Sequence, residues 1–107
     1  KGESAQRGQR NPVWPTKRPT AATRASYRPV ILGVNAAKDA VRNRLALEAP
    51  GPGYTHVPAD RDVVWYQQML AERLVKKSIG ALSYRIWEPI PGRSNEALDC
   101  RVYAYGA

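Results

Sequence analysis

From Arg28 onward the chain alternates between two hydrophobic spacings. Pro29-Val-Ile-Leu-Gly-Val34 is a continuous apolar run of the kind that forms a buried strand. Ala37, Val41 and Leu45 then recur every four residues, so a helix over about 36–47, capped by Asn35, presents one apolar stripe. Pro50-Gly-Pro-Gly53 ends that unit in a turn, and 54–57 reads as a second short strand. Asp60 or Asp62 caps a second helix, about 62–77, whose buried stripe is Val63, Tyr66, Leu70 and Leu74. Gly80 breaks the chain. Residues 82–90 alternate and predict a third strand, in which Leu82, Tyr84, Ile86 and Trp87 compete for the core. Pro89, Pro91 and Gly92 form a loop before a terminal helix. Asn95 is placed as its N-cap, and Ala97, Leu98, Val102 and Tyr105 lie on its inner face. The predicted order is β-α-β-α-β-α. Strands joined by helical crossovers favour an α/β unit with a mostly parallel short sheet flanked by helices.

Residues 1–28 show little periodicity and are rich in Pro, Gly, Ser, Thr and Gln, which predicts an irregular arm ahead of one small α/β unit, 29–107. The charge follows the same division. Of the net +8, +6 falls in 1–28, where seven basic residues face Glu3 alone, and +2 falls in the remainder. An arm carrying Arg7, Arg10, Lys17, Arg18, Arg24 and Arg28 can neutralise DNA phosphates in a salt-sensitive manner; a solvated loop is the alternative. Trp14, between Val13 and Pro15, is a candidate anchor of the arm on the core. The apolar runs are far too short to span a bilayer, so no membrane association is expected. One cysteine excludes an internal disulfide framework, and Cys100 is expected to be a buried structural thiol. The glycine-rich phosphate loop ending in Lys-Ser/Thr is absent, which excludes that type of ATPase from this chain.

The candidate chemistry sits at the start of the terminal helix. Glu96 and Asp99 are three apart and share a helical face, where two carboxylates can hold a hard divalent cation through oxygen. Both also complement the positive end of the helix dipole, and spacing alone does not choose between these roles. The other polar residues read as structural. His56 falls in a predicted strand without a second histidine. Asp39 sits in an early helical turn. Glu72 is expected to face solvent or to pair with Lys76 one turn on. Lys76, Lys77, Arg85 and Arg93 are candidates for a DNA groove or for an ordinary solvated surface.

The stretch Asn95-Glu-Ala-Leu-Asp-Cys-Arg-Val-Tyr-Ala104 resembles the end of the nuclease domain in the large terminase subunit of lambda-type tailed bacteriophages. Leu32-Gly-Val-Asn-Ala-Ala-Lys-Asp39, Glu48-Ala-Pro-Gly-Pro-Gly-Tyr-Thr-His-Val-Pro58 and Tyr66-Gln-Gln-Met-Leu-Ala-Glu-Arg-Leu-Val75 resemble earlier blocks of that family in the same order. The match to 1–30 is looser, and Lys1-Gly2 resembles the end of a family strand. The resemblance implies the second half of a ribonuclease H-like fold, in three layers. It implies an endonuclease that uses Mg²⁺ or Mn²⁺, two ions in the intact site, to cut concatemeric viral DNA during genome packaging. Asp99 would be a catalytic metal ligand with Glu96 beside it, and the first acidic motifs would precede Lys1, leaving this piece inactive alone. The implied partners are double-stranded viral DNA, the small terminase subunit and the portal of the procapsid, in the host cytoplasm. The alternative is a non-catalytic basic module that binds nucleic acid or docks a protein.

Overall fold

The computed structural model describes residues 12–15 and 31–107, together with the backbone of residues 2–3. The basic residues of the predicted arm, Arg7, Arg10, Lys17, Arg18, Arg24 and Arg28, lie outside the described residues. The elements run β1 (Gly2–Glu3), β2 (Leu32–Gly33), α1 (Val34–Leu45), α2 (Val63–Met69), β3 (Glu72–Ile79), β4 (Leu82–Pro89) and α3 (Glu96–Gly106).

The three helices meet around a small core of Leu32, Ala37, Val41, Met69, Leu98 and Val102. Leu98 and Val102 are fully buried and lie one turn apart on α3, so one stripe of that helix packs against both α1 and α2. Burying a side chain of that size contributes about 1.5–3 kcal/mol. The predicted inner face of α3 is observed, with Ala97 and Tyr105 packed at the margin of the core. Ala37 and Val41 likewise bury the predicted stripe of α1.

The predicted mostly parallel, three-layer sheet is overturned. The main sheet is the antiparallel hairpin β3–β4, in register from Glu72 opposite Pro89 to Ile79 opposite Leu82. Parallel pairing among the described residues is confined to two residue pairs, Gly2 opposite Leu32 and Glu3 opposite Gly33. The error lies at Leu70. Helical spacing through Val63, Tyr66, Leu70 and Leu74 predicts one long helix, but α2 ends at Met69 and the remainder is strand. Gly80, at φ +59 and followed by Ala81 at negative φ, opens a two-residue turn of the primed kind that joins antiparallel strands directly. A tight turn between 79 and 82 leaves no crossover helix, so adjacent strands must run antiparallel. The predicted stripe is consequently exposed, at 68% for Val63, 45% for Tyr66, 50% for Leu70 and 39% for Leu74.

Several local expectations are corrected as well. Residues 54–57 form no strand, and His56 stands edge-on to Tyr54 with ring centroids 4.9 Å apart. Asn35 does not cap α1, whose N-cap is Gly33; its Oδ1 accepts a bond from the Trp87 backbone N–H at 3.1 Å. Asp39 accepts from the Trp87 indole N–H at 2.9 Å, which ties α1 to the hairpin. Cys100 is exposed rather than buried. Asp62 does cap α2, accepting from the Trp65 backbone N–H at 2.9 Å. Trp14 meets the expectation of an anchor. Its indole N–H donates to the Gly106 carbonyl at 3.0 Å, its ring stacks near Tyr105, and the adjacent Val13 carbonyl accepts from the Gly33 N–H at 2.8 Å.

Candidate functional site

The start of α3 faces the start of β3 and the second turn of α1. Lys38 follows buried Ala37 on α1 and is itself 8% exposed, because the core-facing stripe carries it inward. Glu72 follows buried Ala71, and its residue is 3% exposed. Lys38 Nζ donates to both Glu72 carboxylate oxygens, at 2.8 and 2.6 Å. Asn95 Nδ2 donates to Glu72 Oε1 at 2.7 Å. The Glu72 carboxylate therefore accepts three bonds in a setting almost without water.

Asn95 occupies the N-cap position that the sequence predicts, but its side chain makes no cap bond. The free N–H of Ala97 in the first turn is satisfied instead by Gln68 Oε1 of α2, at 3.2 Å. That substitution releases the Asn95 amide to hold Glu72. Asp99 lies one turn further along α3, its carboxylate 43% exposed and its Oδ1 3.9 Å from Lys38 Nζ. This separation gives attraction without a hydrogen bond, so Asp99 is not sealed by its basic neighbour. Glu96 is exposed in the same first turn.

The electrostatics of the cluster are unbalanced. Burial pushes the Asp99 carboxyl above the usual carboxylate range; Lys38 pulls it down, and the charges of Glu72 and Glu96 push it further up. Lys38 is thus shared among more negative charge than it can offset. A further cation beside Asp99 would relieve the imbalance. Among the described residues, no group of three or more Asp, Glu, His or Cys side chains gathers to hold a metal ion. Asp99 offers open oxygens and Glu72 offers oxygens closed by Lys38, which is part of a divalent-cation site rather than all of one.

Of the residues singled out from sequence, Glu96 and Asp99 stand at this cluster. Glu72 does not face solvent or pair with Lys76; it is buried and pairs with Lys38, 34 positions earlier. Sequence reasoning missed Lys38 and Glu72 because each sits in a helical pattern where a charge reads as solvated. The spacing carries no signal of the change, because the four-residue repeat runs past Glu72 to Leu74.

The whole chain, residues 1–107, matches the family described as terminase large subunit gpA, endonuclease domain. It is also 36% identical over 83 residues to the terminase large subunit of Escherichia phage lambda, a match that covers 71% of this chain and 13% of that protein. The chain therefore spans a small part of the length of that relative. No solved structure matches it. No helix among the described residues is long and apolar enough to cross a membrane. The match along its full length, with a carboxylate and ion-pair cluster at the start of the last helix, places this chain in the family of terminase large subunit gpA endonuclease domains.

Proposed function

We propose that this chain forms part of a divalent-metal-dependent DNA endonuclease, and that the parent protein cuts concatemeric viral DNA during genome packaging. The observation that carries the reading is the juxtaposition of the half-exposed Asp99 with the buried Glu72–Lys38 pair. Asp99 is the ligand this chain offers to Mg²⁺ or Mn²⁺, and Glu96 supports it electrostatically. Glu72 is a second carboxylate, held in place by the hydrogen bonds it accepts from Asn95 and Lys38. Lys38 positions both acids and lends positive charge near an incoming phosphate.

A divalent cation in such a site would activate water and relieve charge on the departing oxygen of a phosphodiester. The remaining donors come from outside the described residues. The match to terminase large subunit endonuclease domains, of whose lambda relative this chain covers 13%, supports this division. The basic residues Arg7, Arg10, Lys17, Arg18, Arg24 and Arg28 add non-specific phosphate contact. The small terminase subunit and the procapsid portal are the partners of the parent, in the host cytoplasm.

The test is cleavage of supercoiled plasmid by the full-length parent. Cutting should require Mg²⁺ or Mn²⁺, stop with EDTA and be lost in Asp99→Asn, which keeps the side-chain shape but removes the charge. Unaltered cutting by Asp99→Asn would leave Glu96 and Asp99 as helix-dipole residues.

A further inference from the structure

We propose that the β3–β4 hairpin is an arm that seats duplex DNA along one face, with Lys76 and Arg85 on backbone phosphates and Ser78 and Ser83 beside them. The choice of DNA as occupant rests on the nuclease reading above; the charge pattern of the hairpin does not.

Register divides the hairpin into two unlike faces. One face carries Arg73, Val75, Lys77 and Ile79 against Glu88, Ile86, Tyr84 and Leu82. Its charge is partly compensated, because Lys77 forms an ion pair with Glu88, which also stands opposite Arg73, and no two basic residues face each other directly. The other face carries Glu72 at its base, then Leu74 opposite Trp87, then Lys76 opposite Arg85, then Ser78 opposite Ser83. Lys76 and Arg85 are both exposed, and neither has an acidic partner among the described residues. Like charges directly opposite on antiparallel strands destabilise the pair. The protein carries that cost on the face that also begins with the Glu72 carboxylate. A polyanion lying along the face would remove it.

The dimensions suit a duplex. Lys76 stands four residues from Glu72 along one strand, about 13 Å at ~3.3 Å per residue. A phosphate on the Lys76–Arg85 pair would thus lie in line with the carboxylate cluster. Ser78 and Ser83 supply hydroxyl donors beyond it. Ile79 and Leu82, each 47% exposed beside the Gly80-Ala81 turn, lie on the opposite face and take no part in this contact. A duplex fits the Lys76–Arg85 face better than a protein surface does, since against protein the uncompensated charge pair would be desolvated.

The experiment measures binding of the full chain to a labelled DNA duplex in EDTA, across a range of salt concentrations. The double variant Lys76→Gln/Arg85→Gln should reduce the slope of log affinity against log salt by about 1.8, at ~0.9 per phosphate contact. Its thermal midpoint should be unchanged or higher, because a like-charge pair has been removed. Ile79→Ser/Leu82→Ser, on the opposite face, should leave affinity and slope unchanged. An unchanged slope in the charge variant overturns the proposal, and so does self-association of the wild type that this variant abolishes at unchanged DNA affinity, which would assign the hairpin to a second copy of the chain. Binding in EDTA is separate from cleavage. Loss of slope together with normal cutting by Asp99→Asn would keep the arm and sink the assignment of Asp99 as a metal ligand, and the reverse pattern would do the opposite.

Discussion

The buried Lys38–Glu72 pair is an expensive way to hold α1 against β3. Removing each ion from water costs several kcal/mol, and a well-packed apolar pair of similar volume is often as stable or more so. Deleting one partner is worse, because it leaves an uncompensated buried charge. Glu72→Ala and Lys38→Ala should each destabilise the chain by about 3–5 kcal/mol in urea unfolding, and Lys38→Met/Glu72→Leu should cost far less than either. Single variants that unfold with the wild type would mean the pair is solvated. Asp99 makes the opposite prediction for stability. Its carboxyl is raised above the ordinary 3.8, burial being the main cause, so the native state binds the proton more tightly than the unfolded chain. Between that ordinary value and the raised one, stability falls as pH rises; above both, the ionised group opposes folding. Asp99→Asn should therefore be more stable than wild type at neutral pH, and the advantage should disappear below the ordinary carboxylate value. Urea midpoints of the two proteins across acid and neutral pH test this, and a neutral-pH loss of stability in Asp99→Asn would contradict it. A residue that costs stability while facing solvent beside a buried ion pair is the pattern expected of a functional group.

At the scale of elements, α1 and α3 were legible because their apolar residues are locally periodic; the polar signal located the start of α3 at Asn95 but misplaced that of α1, whose N-cap is Gly33. The strand 82–90 was legible from alternation. The hairpin was not, because its first strand continues a four-residue spacing begun in α2, and only pairing with β4 across Gly80 decides its state. Glu72 was misread with it: a carboxylate placed on an exposed helix face became the first residue of a strand, turned into the core. The cluster was therefore half legible, with Asp99 and Glu96 read from the helix start and the Lys38–Glu72 pair invisible until the fold brought distant segments together. Helix ends offer a check on this level. Asp62→Ala removes the cap of α2 and should cost about 1 kcal/mol. Gly106→Ala would ordinarily stabilise a helix, yet a Cβ there would stand 2.6 Å from Leu32 Cδ1 and 2.9 Å from Cδ2. Leu32 is buried at 6% exposure, so overpacking should reverse the sign, to a loss of about 1 kcal/mol in thermal or urea unfolding. A stabilised Gly106→Ala would show that the end of α3 relaxes away from β2.

For the molecule as a whole, the account joins a basic chain with a partial acidic site. The net charge of +8 suits a polyanionic substrate, while the described residues gather too few carboxylates to hold metal unaided. The isolated 107 residues should consequently bind DNA but cut it little or not at all with Mg²⁺ or Mn²⁺. Strong EDTA-sensitive cleavage by the isolated chain would show that its own residues complete the site. The central claim is narrower: Asp99 holds the metal in the parent enzyme. Asp99→Cys exchanges a hard oxygen ligand for a soft thiolate, which binds Mg²⁺ poorly and softer divalent ions well. The decisive measurement is plasmid cleavage by the full-length Asp99→Cys protein with Mg²⁺ and with Mn²⁺ or Cd²⁺, beside wild type. The account predicts loss of cutting with Mg²⁺ and recovery with the softer ions; equal cutting with Mg²⁺ by both proteins would contradict it.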